Sequence, residues 1–206
     1  MPLLFNLSAI KNEREKYFFL TVLLLVFSVP YFLPETVAQL LQFDRELIAQ
    51  GQVWRFITGH FVYFTFYHYA MNVFGLAFCS FFFYWYEPRI LFWLSFLLIP
   101  VGVSIGIYWF SLQSDIYRGF SAVFYGMIAM GVFIVARNSL WLAGVLALAL
   151  YGKLYLEQQD SFDRLYMEHY IDAAVATDAH LAGTVSGLII YAVYRLILLF
   201  RKKLTP

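Results

Sequence analysis

The chain has 206 residues, of which 62% are hydrophobic, 21% aromatic and 13% charged, with a formal net charge of +1. A water-soluble domain carries about 25% charged residues, so this chain lacks the polar side chains to cover a surface facing water. Its near-neutral balance offers no basic patch for a nucleic-acid partner, and the abundance of Phe, Tyr and Trp suits a protein whose solvent is the lipid bilayer.

A helix needs about 20 apolar residues to cross the hydrocarbon core, and charged residues interrupt this sequence at close to that interval. The first predicted span covers residues 17–33. Pro30 and Pro34 end it without a small-residue cleavage site, so it reads as a retained span rather than a removed signal. Residues 38–63 follow, apolar and sparsely charged, with Phe43, Trp54, Phe56 and Phe61 suited to the membrane interface. The remaining spans are predicted at 66–86, 90–113, 119–136, 139–156 and 179–200. The fourth is short, and Lys153 can snorkel from the end of the fifth. Cys79 is the only cysteine, inside an apolar run, and reads as a packed thiol. The fold class expected is an all-α membrane protein, with residues 1–206 forming one domain of six transmembrane helices.

Placing both termini in the cytoplasm puts Lys11, Arg14, Lys16, Arg89, Arg137, Arg195, Arg201, Lys202 and Lys203 inside. It leaves Arg45, Arg55, Arg118, Lys153 and Arg164 outside. That asymmetry sets the expected orientation.

Polar groups within membrane segments are costly and usually functional. His68 and Asn72 share one face of the second span, four residues apart. Ser121 opens the fourth span in the string Gly119-Phe120-Ser121-Ala122, and His180 opens the sixth. In the expected topology all four lie at outer helix ends and can meet at one depth. A serine hydroxyl becomes nucleophilic when a base takes its proton, and histidine does this near neutral pH. Ser121 and His180 are therefore the candidate catalytic pair. His68, Asn72 and the backbone N–H of Ser121 are the candidate donors to a tetrahedral oxyanion. Asp178, two residues before His180, should face away along a helix, so a dyad without an acidic third member is expected. Tyr125 lies one turn after Ser121 and can stack on the imidazole. Gly126, Gly183 and Gly187 allow the fourth and sixth spans to approach closely. His60 and His169 read as surface or interfacial residues.

Taken together, these motifs resemble the rhomboid family of intramembrane serine proteases, over the chain from residue 53 to the end of the sixth span. Trp54-Arg55 is similar to the family's pair in the first outer loop. Gly119-x-Ser121 resembles its nucleophile motif, His68 and Asn72 its oxyanion-stabilising pair, and Tyr125 its histidine-packing tyrosine. His180 with Gly183 and Gly187 resembles its general-base helix. The family usually has glycine after the serine, where this chain has Ala122. A narrower resemblance, through the short six-span form and the string Thr177-Asp178-Ala179-His180-Leu181-Ala182-Gly183, is to the rhombosortase branch. It implies tail-anchored precursors carrying a C-terminal Gly-Gly motif as substrates, cut near the outer face of a bacterial inner membrane. Membrane-anchored proteins and the bilayer are then the partners, with no cofactor and no metal. The fifth span, rich in Leu and Ala, is expected to move as a gate. The loop 157–178 reads either as a cap over the site, through Phe162, Tyr166, Met167 and Tyr170, or as a solvated acidic loop.

Overall fold

Inside hydrocarbon every backbone N–H and C=O must be satisfied within its own segment, so each apolar run closes into a helix. The computed structural model describes residues 13–83, 89–111, 114–159 and 164–204. The elements are α1 (Glu13–Ser28), α2 (Glu35–Leu41), β1 (Phe43–Asp44), α3 (Arg45–Ala49), α4 (Arg55–Thr58) and α5 (Phe66–Phe83). They continue with α6 (Arg89–Phe110), β2 (Ile116–Tyr117), α7 (Ser121–Ala136), α8 (Leu140–Glu157), α9 (Arg164–Ile171) and α10 (Thr177–Leu204).

Among the described residues three helices, α6, α8 and α10, are long and apolar enough to cross a membrane. The first predicted span, 17–33, ends at a bend. α1 passes into a 3-10 turn at Val29–Phe32 and bends by 109° into α2, and only if that bent pair is one span does the number rise to four. Pro30 and Pro34 cause the break, since neither ring nitrogen can donate to the preceding turn. α7 is apolar but has 16 residues. Residues 84–86 and 112–113, at the ends of the second and third predicted spans, lie outside the described residues.

α7 is the centre of the bundle, with α10, α8, α6 and α5 packed around it. Almost its whole surface is buried, Ala122, Met127 and Met130 completely. The surrounding helices turn Phe18, Leu25, Trp109, Phe110, Leu140, Trp141, Leu148 and Phe200 outward. So broad an apolar exterior is a lipid-facing surface. The chain is a multi-helix integral membrane protein.

α10 carries two packing faces. Towards α7, a Cβ at Gly183 or Gly187 would run into the carbonyl oxygens of Ala122 and Gly126. Towards α6, a Cβ at Gly102 or Gly106 would run into Ser186 and Ala182. Backbone therefore meets backbone on the α7 side, while on the α6 side the small side chains of Ser186 and Ala182 fit against glycine, both being close approaches that small residues permit in lipid.

The segment 38–63 does more than lie in the interface. α4 packs on α6 and on β1, and β1 pairs antiparallel with β2, Phe43 opposite Tyr117 and Asp44 opposite Ile116. Phe43, Val62 and His60 are fully buried. His60 is thus not a surface or interfacial residue. Its Nε2 lies 3.0 Å from Ser104 Oγ, and its ring lies edge-on to Tyr117. Trp54 and Arg55 close the end of α2. The indole N–H donates to Leu40 O at 3.2 Å. The buried guanidinium donates to Gln39 O at 2.8 Å and to Gln42 O at 2.6 Å, satisfying carbonyls that a helix C-terminus leaves open.

Burial pushes the His60 imidazole from 6.5 down to about 4. Above 6.5 the ring is neutral whether the chain is folded or not. As pH falls from 6.5 towards 4 the unfolded chain binds a proton that the folded chain refuses, so stability is lost across that window, by on the order of 3 kcal/mol. Thermal unfolding in detergent should therefore show a falling midpoint between pH 6.5 and 4, and His60→Gln should make that fall shallower. Separately, Gly183→Val should lower the unfolding midpoint even at neutral pH. Overpacking typically costs about 1–3 kcal/mol, and here the obstacle is backbone.

Candidate active site

The loop before α7 is held from three sides. Arg118 is buried and donates through Nε to Gln42 Oε1 at 2.9 Å and through Nη1 to Tyr63 O at 3.3 Å. Its Nη2 meets Glu35 Oε1 at 2.6 Å, and the guanidinium lies over the Phe64 ring at 4.8 Å. The β1–β2 pair fixes the strand just upstream. Gly119 N–H donates to Gly59 O at 3.1 Å. Gly119 has φ +111°, and a Cβ there would strike His68 Nε2. Both the left-handed backbone and the closeness of the imidazole require glycine. The Phe120 side chain then inserts among Phe27, Phe61, Phe96 and Phe124, so α7 starts at a fixed depth with Ser121 as its first residue.

α10 brings His180 to Ser121. Ser121 Oγ lies 3.1 Å from His180 Nε2, one helical turn from the Gly183–Ala122 contact. Tyr125 stacks on the imidazole with centroids 4.2 Å apart and planes 5° apart. The methyl of Ala122 is buried in the main core.

The expectation of a dyad without an acidic neighbour is corrected by the last residue of α8. His180 Nδ1 donates to Glu157 Oε2 at 2.9 Å. The other carboxylate oxygen accepts from the Tyr125 hydroxyl at 2.8 Å and pairs with Lys153 Nζ at 2.7 Å. Glu157 is 1% exposed, so its charge is compensated by those three donors rather than by water. An ionised carboxylate only accepts hydrogen bonds. Nδ1 therefore carries the ring proton, and Nε2 presents a lone pair to the serine hydroxyl. Asp178 points elsewhere, accepting from Ser111 Oγ at 2.9 Å.

His68 and Asn72 stand across the serine loop, both buried. Phe64 N–H donates to His68 Nδ1 at 3.4 Å, which leaves Nε2 as the protonated nitrogen, facing Gly119. Asn72 Oδ1 accepts from Phe120 N–H at 2.8 Å, and its Nδ2 donates to His68 O at 2.7 Å. Asn72 thus ties the serine loop to α5 and keeps one amide hydrogen for the site. The buried Tyr117 hydroxyl has no hydrogen-bond partner among the described residues and lines the same cavity.

That cavity has a volume of about 250 Å³, and Ser121, His180, His68, Asn72, Tyr117 and Glu157 all reach it. Its wall opposite α5 is the end of α8, and Ile171 with Ala173–Ala176 closes it from the α9 side. Thr65, whose hydroxyl accepts from His68 N–H at 3.2 Å, donates to Tyr170 O at 2.8 Å and so pins α9 to the start of α5. Of the aromatics expected to cap the site, Tyr170 packs on Tyr67. Phe162 and the side chains of Tyr166 and Met167 lie outside the described residues. His169 is exposed. Among the described residues no group of three or more His, Cys, Asp or Glu side chains is placed to hold a metal ion.

Glu157 was missed because it sits at a span end beside an acidic stretch, where a carboxylate ordinarily faces water. One signal was available. Lys153 and Glu157 form an i,i+4 pair on the last turn of a helix that is otherwise apolar.

Residues 50–197 match the family model described as Rhomboid domain. No curated protein matches the chain. The matched region contains every residue of the cavity described above, and by that match over most of its length the chain belongs to the rhomboid family.

Proposed function

We propose that this protein is an intramembrane serine endopeptidase in which Ser121 is the nucleophile and His180 the general base. The observation that carries this reading is the 3.1 Å contact between Ser121 Oγ and His180 Nε2, made in a cavity at the helix ends of a rhomboid-family chain.

The chemistry follows from the atoms present. Nε2 takes the serine proton as Oγ attacks the scissile carbonyl carbon, and the carbonyl oxygen becomes an anion. Protonated His68 Nε2, the remaining Asn72 amide hydrogen and the backbone N–H of Ser121 are the donors for that oxygen. The C–N bond breaks as Nε2 hands the proton to the leaving amine. Water then attacks the acyl-enzyme by the same relay. Gly119, Tyr125, Gly183 and Gly187 serve to position these groups. No step requires a cofactor or a metal.

The finer reading keeps six spans with both termini in the cytoplasm of a bacterium and the site near the outer face of its inner membrane. The substrates are membrane-anchored proteins, and the rhombosortase-like string at His180 favours C-terminal Gly-Gly tail anchors. A peptide bond in a helix is hidden by the helix's own hydrogen bonds, and Gly-Gly lowers the cost of unwinding it. Substrate reaches the cavity sideways from lipid between α5 and α8, with α8 as the moving wall. Its lipid-facing side is Leu140, Trp141 and Leu148, and its polar ties to the bundle are concentrated at Glu157.

The test is cleavage of a Gly-Gly tail-anchored reporter by purified protein in liposomes. Ser121→Ala and His180→Ala should both abolish it, and Asn72→Ala should reduce it by roughly 10²–10³-fold, as loss of an oxyanion donor does. A wild-type protein that leaves both this reporter and a general rhomboid substrate intact would instead indicate a membrane client-binding protein. A crosslink between α5 and α8 should stop cleavage of the membrane-anchored reporter while Ser121 still reacts with a small fluorophosphonate. Undiminished cleavage would remove α8 as the moving wall.

A further inference from the structure

Resting on the serine-protease reading above, we infer that Glu157 is the third member of the catalytic group, a positioning residue that makes the site a Ser–His–Glu triad. The geometry is that of a carboxylate serving an imidazole. Its Oε2 accepts the Nδ1 proton at 2.9 Å, on the opposite side of the ring from the 3.1 Å contact to Ser121. Glu157 lies 23 residues before His180, at the C-terminal end of a different helix. The contact is therefore made by tertiary packing and is not a local accident of one helix face.

Three features separate this arrangement from a surface ion pair. The carboxylate is 1% exposed, so it holds a defined position. Its second oxygen is occupied by the Tyr125 hydroxyl at 2.8 Å, and Tyr125 is the ring stacked on His180. Carboxylate, phenol and imidazole thus form a closed unit that fixes the imidazole both in tilt and in rotation. Lys153 Nζ, 2.7 Å from Oε1, sets a positive charge beside the carboxylate.

The role in the reaction is bounded. When Oγ attacks and its proton moves to Nε2, the ring becomes an imidazolium whose Nδ1–H still points at Glu157. The carboxylate stabilises that charge and keeps the neutral ring in the tautomer with Nε2 free. It takes no proton itself, and the proton on Nε2 leaves with the amine. A neutral amide in its place can present an N–H to Nδ1 and select the other tautomer, in which Nε2 is protonated and cannot act as base.

The experiment uses the full chain in liposomes and follows both steady-state reporter cleavage and the rate at which a fluorophosphonate labels Ser121. Glu157→Gln should lower kcat by roughly 10²- to 10⁴-fold, slow labelling in parallel and leave KM within about twofold. Tyr125→Phe, which removes one bond to the carboxylate but not its charge, should lose less than about tenfold. Glu157→Gln with kcat within about threefold of wild type, or with a loss confined to KM, overturns the triad. Should Glu157→Gln not fold, Glu157→Asp decides. It keeps the charge but draws it back from Nδ1, so lowered kcat at constant KM supports the triad and unchanged kcat removes it. A wild type that neither cleaves nor labels, matching Ser121→Ala on both readouts, defeats the protease reading itself and this inference with it. That outcome is distinct from a wild type that works and a Glu157 variant that works equally well.

Discussion

The distance between Ser121 and His180 is set by the backbone contact between α7 and α10. Ser121 and His180 sit on different helices, and neither side chain can reach far. What brings them to 3.1 Å is that Gly183 and Gly187 meet the carbonyls of Ala122 and Gly126 with no side chain between. In lipid there is no hydrophobic force to press two helices together, so close van der Waals packing has to do it. On its other side α10 sets the small side chains of Ser186 and Ala182 against Gly102 and Gly106 of α6. The Ser121–His180 geometry is thus a by-product of helix packing in the middle of the bundle, with the histidine one turn from the contact.

A second constraint concerns charge. The cavity region buries Arg118, Glu157 and His180 together with Asn72 and His68, in a protein whose exterior is hydrocarbon-facing. Each is tied. Arg118 uses Gln42, Glu35 and the Tyr63 carbonyl. Glu157 uses Tyr125, Lys153 and His180. Breaking one partner of such a buried set leaves a charge uncompensated, which is far more damaging than the pair is stabilising. The outer segment 38–63 therefore has a structural purpose. Through Arg118, Arg55 and the β1–β2 pair it fixes the serine loop from above, while the aromatic nest around Phe120 fixes it from within.

Much of this was legible in the sequence, and the parts that were not share a cause. The helices at α6, α7, α8 and α10 follow from the spacing of charges, because hydrocarbon imposes helix on any apolar run. Ser121, His180, His68 and Asn72 stood out because a polar side chain at a span end is conspicuous against apolar neighbours. What could not be read was where long-range partners meet. His60 looked like an interfacial residue and is fully buried against Ser104, 44 positions away. Glu157 looked like one more acidic group at the start of a loop, and its partner is on the far side of that loop. The bend after α1 was half visible. The prolines marked an end, but not that the chain turns by 109° into a further helix.

The position of Glu157 on α8 limits how the cavity can open. The carboxylate touches both His180 and Tyr125 at hydrogen-bond distance. Any outward movement of the C-terminal end of α8 by more than about an ångström breaks those bonds, since a hydrogen bond is lost beyond about 3.5 Å. It would also leave the imidazole without its anion. The opposite end of α8, near Ser139, has no such link to the site. It is capped by its own serine, which accepts from Leu142 N–H at 3.3 Å. If α8 is the moving wall proposed above, it has two ways to open. It can swing about Glu157 as a pivot and keep the base primed throughout, or it can release Glu157 and prime the base only on closing. In the second case the hydrolytic group exists only once a substrate has been enclosed, and the open protein holds a serine beside a histidine whose tautomer nothing selects. On the proposed mechanism the same carboxylate would then be both the latch of the wall and the orienting group of the base.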